Sequence, residues 1–160
     1  MDARFDSRVA QRLMQMRILW AALLMSQLLF AALMVFLSSK TKLTPPFPPE
    51  IWFAFMAGVA SVQAVLSFIV PKRTFRIRVT TPRPRPGDPN EANVVLNAML
   101  PAQTSFVMAW ALGESVALDG FAFGYMGGPV LWAAPFFAVA MLMHLSRFPT
   151  VDYVLSLMRE

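Results

Sequence analysis

Phe106-Val107-Met108-Ala109-Trp110-Ala111-Leu112-Gly113-Glu114-Ser115-Val116-Ala117-Leu118-Asp119-Gly120-Phe121-Ala122-Phe123-Gly124 decides how the chain reads. The run is long and apolar enough to cross a bilayer, yet it carries Glu114 and Asp119. An acid at hydrocarbon depth costs about 3 kcal/mol or more unless it is protonated, paired or hydrated. Such a cost calls for a purpose, either chemical or architectural.

The rest of the chain agrees with a membrane setting. Hydrophobic residues make up 57% and charged residues 14% of the 160 positions, against about 45–50% and 25% in a soluble domain. One integral membrane domain over 1–160 is expected. With no cysteine and one histidine, the chain offers no disulfide framework, thiolate metal site or multi-histidine site from a single copy.

Outward from the acidic run, three further apolar stretches stand out. Ile18 to Leu37 is free of charge for twenty residues, about 30 Å of helix. A signal-peptide core is shorter, about 7–15 residues, so the stretch reads as a retained span. Before it, Arg4, Arg8, Arg12 and Arg17 alternate with Phe5, Val9, Leu13 and Met16 at near-helical spacing. This predicts either an amphipathic lead-in at the membrane surface or a solvated basic start. A proline-rich link (Thr44 to Pro49) leads to a second span over Ile51–Val70, with Pro71 expected to stop it. The acidic span itself is placed at 102–126, after a short apolar approach and Pro101. Gly127-Gly128-Pro129 then predicts a tight turn into a fourth span over 130–148.

Between spans two and three, residues 72–93 hold Lys72, Arg73, Arg76, Arg78, Arg83 and Arg85. Thr74 to Val79 alternates basic and apolar residues, which suits a short extended piece. Next to a span, such a basic loop fixes topology or touches anionic headgroups rather than nucleic acid. Counting Lys and Arg segment by segment gives four before span one, then two, six, none, and two after span four. The positive-inside rule then puts both termini and the basic loop in the cytoplasm. The expected fold is an all-α, four-helix, up-down-up-down bundle in a bacterial inner membrane. Residues 149–160 suit an amphipathic tail on its surface.

Within span three, Ala117, Gly120 and Gly124 fall within about 40° of Gly113 on the helix surface. A small-residue stripe lets another helix approach closely, either from the same chain or from a second copy. Glu114 flanks the stripe on an edge shared with Gln103, Trp110 and Phe121. Asp119 points about 140° away, so the two acids are not a pair within one chain. Gln27 and Gln63 lie inside spans one and two, where amides usually join helices. His144 lies sixteen residues after Gly128, and Glu114 fourteen before it. A hairpin brings them to similar depth and suggests a Glu–His pair. The closeness of His144 to Arg147 argues for the interface instead. Candidate ion-binding residues are therefore Glu114, His144, Gln63 and Gln103.

Ala111-Leu112-Gly113-Glu114-Ser115-Val116-Ala117-Leu118-Asp119-Gly120 resembles the carboxylate helix of the rotary ATPase c subunit, the proteolipid. Ala111, Glu114, Leu118 and Gly120 match that family's pattern, and Asp119 stands at its tyrosine. Arg83-Pro84 and Arg85-Pro86 are similar in character to its polar loop. The resemblance implies a reversible carboxylate at Glu114 that takes a proton or a monovalent cation. The overall plan, with Arg147-Phe148-Pro149-Thr150 after the last span, also resembles a group of short uncharacterised bacterial four-span membrane proteins with an acidic third span.

Two functions follow as expectations. One is a non-catalytic membrane subunit in a homo-oligomer or larger complex, working through the small-residue face and the carboxylate. The other is a c-like ion-handling subunit. An enzyme is the poorest fit, because no nucleophile–base set or phosphate loop is recognisable. No cofactor is expected.

Overall fold

The computed structural model describes the backbone of residues 3–40, 43–44, 47–78, 91–150 and 152, with side chains over 7–40, 43–44, 47–73, 96–150 and 152. The described elements are four helices: α1 (Ala3–Lys40), α2 (Pro49–Arg78), α3 (Glu91–Tyr125) and α4 (Val130–Leu145). The first three are long and apolar enough to cross a membrane. α4 is apolar but has 16 residues, about 24 Å at helical rise.

α3 is the centre of the bundle. In its most apolar stretch 44% of residues are buried, against 11% in α1 and 17% in α2. It packs on all three other helices, while α2 barely meets α4. The main core joins Met34 of α1, Trp52, Met56 and Ala60 of α2, Val116 and Phe123 of α3, and Phe136 and Ala140 of α4. Phe53 meets Phe123, Trp132 and Phe136 edge-on, with centroids 5.6–5.7 Å apart, a favoured aromatic geometry.

α1, α2 and α3 run farther than the sequence suggests. The lead-in before Ile18 is not a separate surface piece but the first turns of α1. Its stripe of Val9, Leu13 and Met16 is buried, with Val9 and Leu13 clustered on Met99 and Met16 on Ala102 and Phe106. Arg8, Arg12 and Arg17 face outward. α3 likewise begins at Glu91 and passes through Pro101.

Pro71 does not stop α2, which continues to Arg78, so the extended piece expected from Thr74 is helical as far as Arg78. A helical proline lacks the N–H that would bond the carbonyl four residues back. Here that carbonyl belongs to Ser67, and the Arg147 guanidinium donates to it at 3.2 Å. A distant arginine replaces the missing donor.

The tight turn at Gly127–Pro129 forms as expected. Gly127 takes φ 91°, which side-chain-bearing residues rarely adopt. The Gly128 N–H bonds the Phe123 carbonyl at 3.0 Å, closing α3 in the Schellman manner. α4 ends three residues before the span boundary at 148, and Ser146–Thr150 turns across the bundle end. Arg17 stacks on Phe148 at 5.3 Å, and Pro149 is buried. Arg83, Arg85 and most of the 149–160 tail lie outside the described residues.

Candidate functional site

A polar layer joins α1, α3 and α4. Glu114 of α3 faces α1, and its Oε1 lies 2.5 Å from the Ser26 hydroxyl. The same hydroxyl is 2.7 Å from the Leu23 carbonyl, three residues back on α1. A serine hydroxyl has a single hydrogen, and here two oxygens are within reach of it.

His144 of α4 is 1% exposed. Its Nε2 lies 2.8 Å from the Trp20 carbonyl, and the Trp20 indole N–H donates to the His144 carbonyl at 3.1 Å. A carbonyl only accepts, so Nε2 carries the hydrogen in this arrangement and Nδ1 is left as an acceptor. The Gln27 amide nitrogen stands 3.4 Å from Nδ1, completing the ring's hydrogen bonding. The imidazole lies between the Trp20 and Trp110 rings, at 5.5 and 5.8 Å. His144 is thus a buried joint between α4 and α1.

The other residues singled out from sequence are distributed differently. Gln63 of α2 lies beside Asp119, on the other side of α3 from Glu114. Gln63 Oε1 and Asp119 Oδ2 are both buried without a partner. Gln103 is half-buried and eleven residues from Glu114, about 16 Å along the helix. Glu114 and His144 therefore share a layer, and Gln63 and Gln103 lie outside it. Among the described residues, no group of three or more His, Asp or Glu side chains is placed to hold a metal ion.

The small-residue stripe meets helices of its own chain. A Cβ on Gly120 would come 2.7 Å from the Phe136 Cβ and 3.3 Å from the Ala133 carbonyl, both on α4. On Gly124 it would press into Met34 of α1, 2.7 Å from its Cγ. Gly113 has ordinary contact with Ala140 and Met143, and Ala117 is fully buried. Of the proposed headgroup residues, Lys72 and Arg73 are exposed, and Arg76 and Arg78 lie in the last turn of α2.

Sequence reading missed Trp20, Ser26 and Arg147. Ser26 is the only hydroxyl in Ile18–Leu37 and adjoins Gln27, which was a signal. Pro71, four residues after Ser67, announced an orphan carbonyl, but nothing local named the arginine that reaches it. The chain matches no family model, no curated protein and no solved structure.

Proposed function

We propose that this chain is a non-catalytic, multi-pass membrane protein that serves as a subunit of a homo-oligomer or larger membrane complex. Its four helices run up-down-up-down in a bacterial inner membrane, with both termini in the cytoplasm. The charge asymmetry supports that orientation, twelve Lys and Arg on one side against two on the other. The observation that carries the functional reading is where Glu114 and His144 make their contacts. Each is engaged with α1, through Ser26 and through Trp20, so each acts as a helix joint. What the molecule offers outward is the broad apolar surface of α1 and α2, including Met25, Leu29, Phe36, Phe55, Val62 and Phe68. That surface suits lipid and neighbouring helices. Cross-linking in native membranes from cysteines placed at Leu29 and Val62 tests it. Discrete dimers or partner adducts are expected, and a chain that stays monomeric at both positions overturns the subunit role.

One observation favours a second reading, reversible proton binding at Glu114. If the Ser26 hydrogen goes to the Leu23 carbonyl, the contact with Glu114 is completed by a proton on the carboxyl, donated to Ser26. A hydrophobic carbodiimide reacts with such a carboxyl. Labelling confined to Glu114 and lost in Glu114→Gln is expected on this reading. An unlabelled Glu114 across pH 5–9 sinks it.

A further inference from the structure

Where α1 and α3 run side by side ahead of Ile18 and Pro101, a groove of about 400 Å³ opens between them. It is lined chiefly by Arg8, Gln11, Arg12 and Gln15 of α1 and by Asn97 and Leu100 of α3. Sites for whole small ligands run from about 300 to 1,000 Å³, so the space is of ligand size. The two arginines stand one helical turn apart, as do the two glutamines. The neighbouring stripe of Val9, Leu13 and Met16 is packed on α3, which holds the guanidinium row beside that helix. Among the described residues no carboxylate lines the groove. Nor does any hydrogen bond or ion pair among them engage the side chains of Arg8, Gln11, Arg12, Gln15 or Asn97. Two cations and three amides thus border one space with their donors unspent.

We infer that this groove, in the membrane setting proposed above, binds a phosphate-class anion, the headgroup of an anionic phospholipid. An arginine offers phosphate several N–H donors in a fixed fork, and the amides add uncharged donors for the remaining oxygens. Depth favours a lipid as the source. Gln15, Arg12 and Arg8 precede Ile18 by three, six and ten residues, about 5, 9 and 15 Å of helix. The headgroup layer is about 5–8 Å thick on each side of the hydrocarbon. A headgroup there meets Gln15 and Arg12 first, with Arg8 at its outer edge. Ile18 is 60% exposed and Leu100 56%, which gives an acyl chain apolar surface next to the donors. A soluble phosphate would make no use of that surface.

The test uses the full chain, first checked for resistance to carbonate extraction from its membrane and then delipidated in neutral detergent. Phosphatidylglycerol and phosphatidylcholine of identical acyl chains are titrated by native mass spectrometry. Inorganic phosphate and glycerol 3-phosphate form a separate arm. Phenylglyoxal modification of Arg8 and Arg12, read by peptide mass spectrometry, is the local signal. Phosphatidylglycerol is expected to bind about thirtyfold more tightly than phosphatidylcholine, roughly fivefold for each arginine, and to shield both side chains. Arg8→Gln with Arg12→Gln should remove most of that preference; both residues are exposed, so the unfolding temperature in phosphatidylcholine should stay unchanged. Gln11→Ala with Asn97→Ala changes no charge and should lower the preference about threefold. Lys40→Gln with Lys42→Gln removes the same charge as the arginine pair, away from the groove, and should keep it. Equal affinity for the two lipids, arginines that phosphatidylglycerol leaves unshielded, or an equal loss in the Lys40/Lys42 variant overturns the site and leaves the membrane reading standing. Shielding by the soluble phosphates equal to that by phosphatidylglycerol keeps the anion site and overturns the lipid source. Release of the chain by carbonate overturns the membrane setting, and the lipid site with it.

Discussion

The two sides of α3 are held by different means. Toward α4 the backbone comes close at Gly120, toward α1 the Met34 side chain packs on Gly124, and the polar groups answer one another: Glu114 with Ser26, His144 with Trp20. Toward α2, packing rests on aromatic and methionine side chains, Phe53, Trp52 and Met56 against Phe123 and Val116. Three of the four buried polar atoms without partners among the described residues belong to that second side: Trp52 Nε1, Gln63 Oε1 and Asp119 Oδ2. The fourth, Gln27 Oε1, belongs to the first. Between helices in lipid the hydrophobic drive is missing, so association depends on close packing and hydrogen bonds. α1 and α4 are held by both, whereas the α2–α3 contact rests chiefly on shape, and the polar bonds of α2 at Ser67 run to Arg147 after α4.

The largest effect that contrast predicts comes from filling the close approach. In Gly120→Leu the new Cβ would meet the Phe136 Cβ and the Ala133 carbonyl, so α4 must move as a body. A loss of about 3 kcal/mol or more is expected, measured by reversible unfolding in mixed micelles. Gly58→Leu on α2, where nothing lies within 4 Å of a Cβ, should cost far less. Equal losses at the two glycines would break the contrast.

Next comes His144→Leu. The leucine removes both ring hydrogen bonds and leaves the Gln27 side chain buried with no partner for its amide nitrogen. A loss of about 2 kcal/mol is expected, together with greater exposure of Trp20 in fluorescence quenching. Gln27→Leu in the same background should recover part of that loss, because it withdraws the stranded amide.

How far the sequence reached follows the same division. Apolar run lengths were enough to show helices long and apolar enough to cross a membrane, and the Gly127-Gly128-Pro129 turn was legible because glycine and proline act locally. The stripe at Gly113, Ala117, Gly120 and Gly124 was legible too, since spacing along one helix determines a face. Which helices meet that face was not, because α1 and α4 approach it from 88 and 16 residues away in the chain at Ser26 and Phe136. The prolines misled for a physical reason. Pro71 and Pro101 read as breaks when only the chain before them is considered, and the Arg147 donor to the Ser67 carbonyl sits in the turn after α4.

A double-mutant cycle on Ser26→Ala and Glu114→Gln sharpens the comparison on the better-bonded side. Intramembrane side-chain hydrogen bonds average about 0.6 kcal/mol and reach about 1.7 kcal/mol, and the short Ser26–Glu114 contact should fall in the upper half of that range. A coupling indistinguishable from zero would mean that the carboxyl does not join the helices, and the subunit reading would lose its main support.

The smallest expected effect belongs to Asp119, and its sign matters more than its size. Asp119 Oδ2 and Gln63 Oε1 are buried acceptors facing no donor. A buried acceptor left unpaired is destabilising, and replacing both groups of an imperfect pair by apolar side chains is near neutral or favourable. Asp119→Leu with Gln63→Leu should therefore leave stability unchanged or raise it by about 1 kcal/mol, whereas Glu114→Leu with Ser26→Ala should lower it. The single change Asp119→Asn adds a donor beside Gln63 and should also be neutral or slightly stabilising. If instead the Asp119/Gln63 double variant unfolds more easily than the Glu114/Ser26 one, a polar bond joins α2 to α3, and the two faces of α3 are built alike.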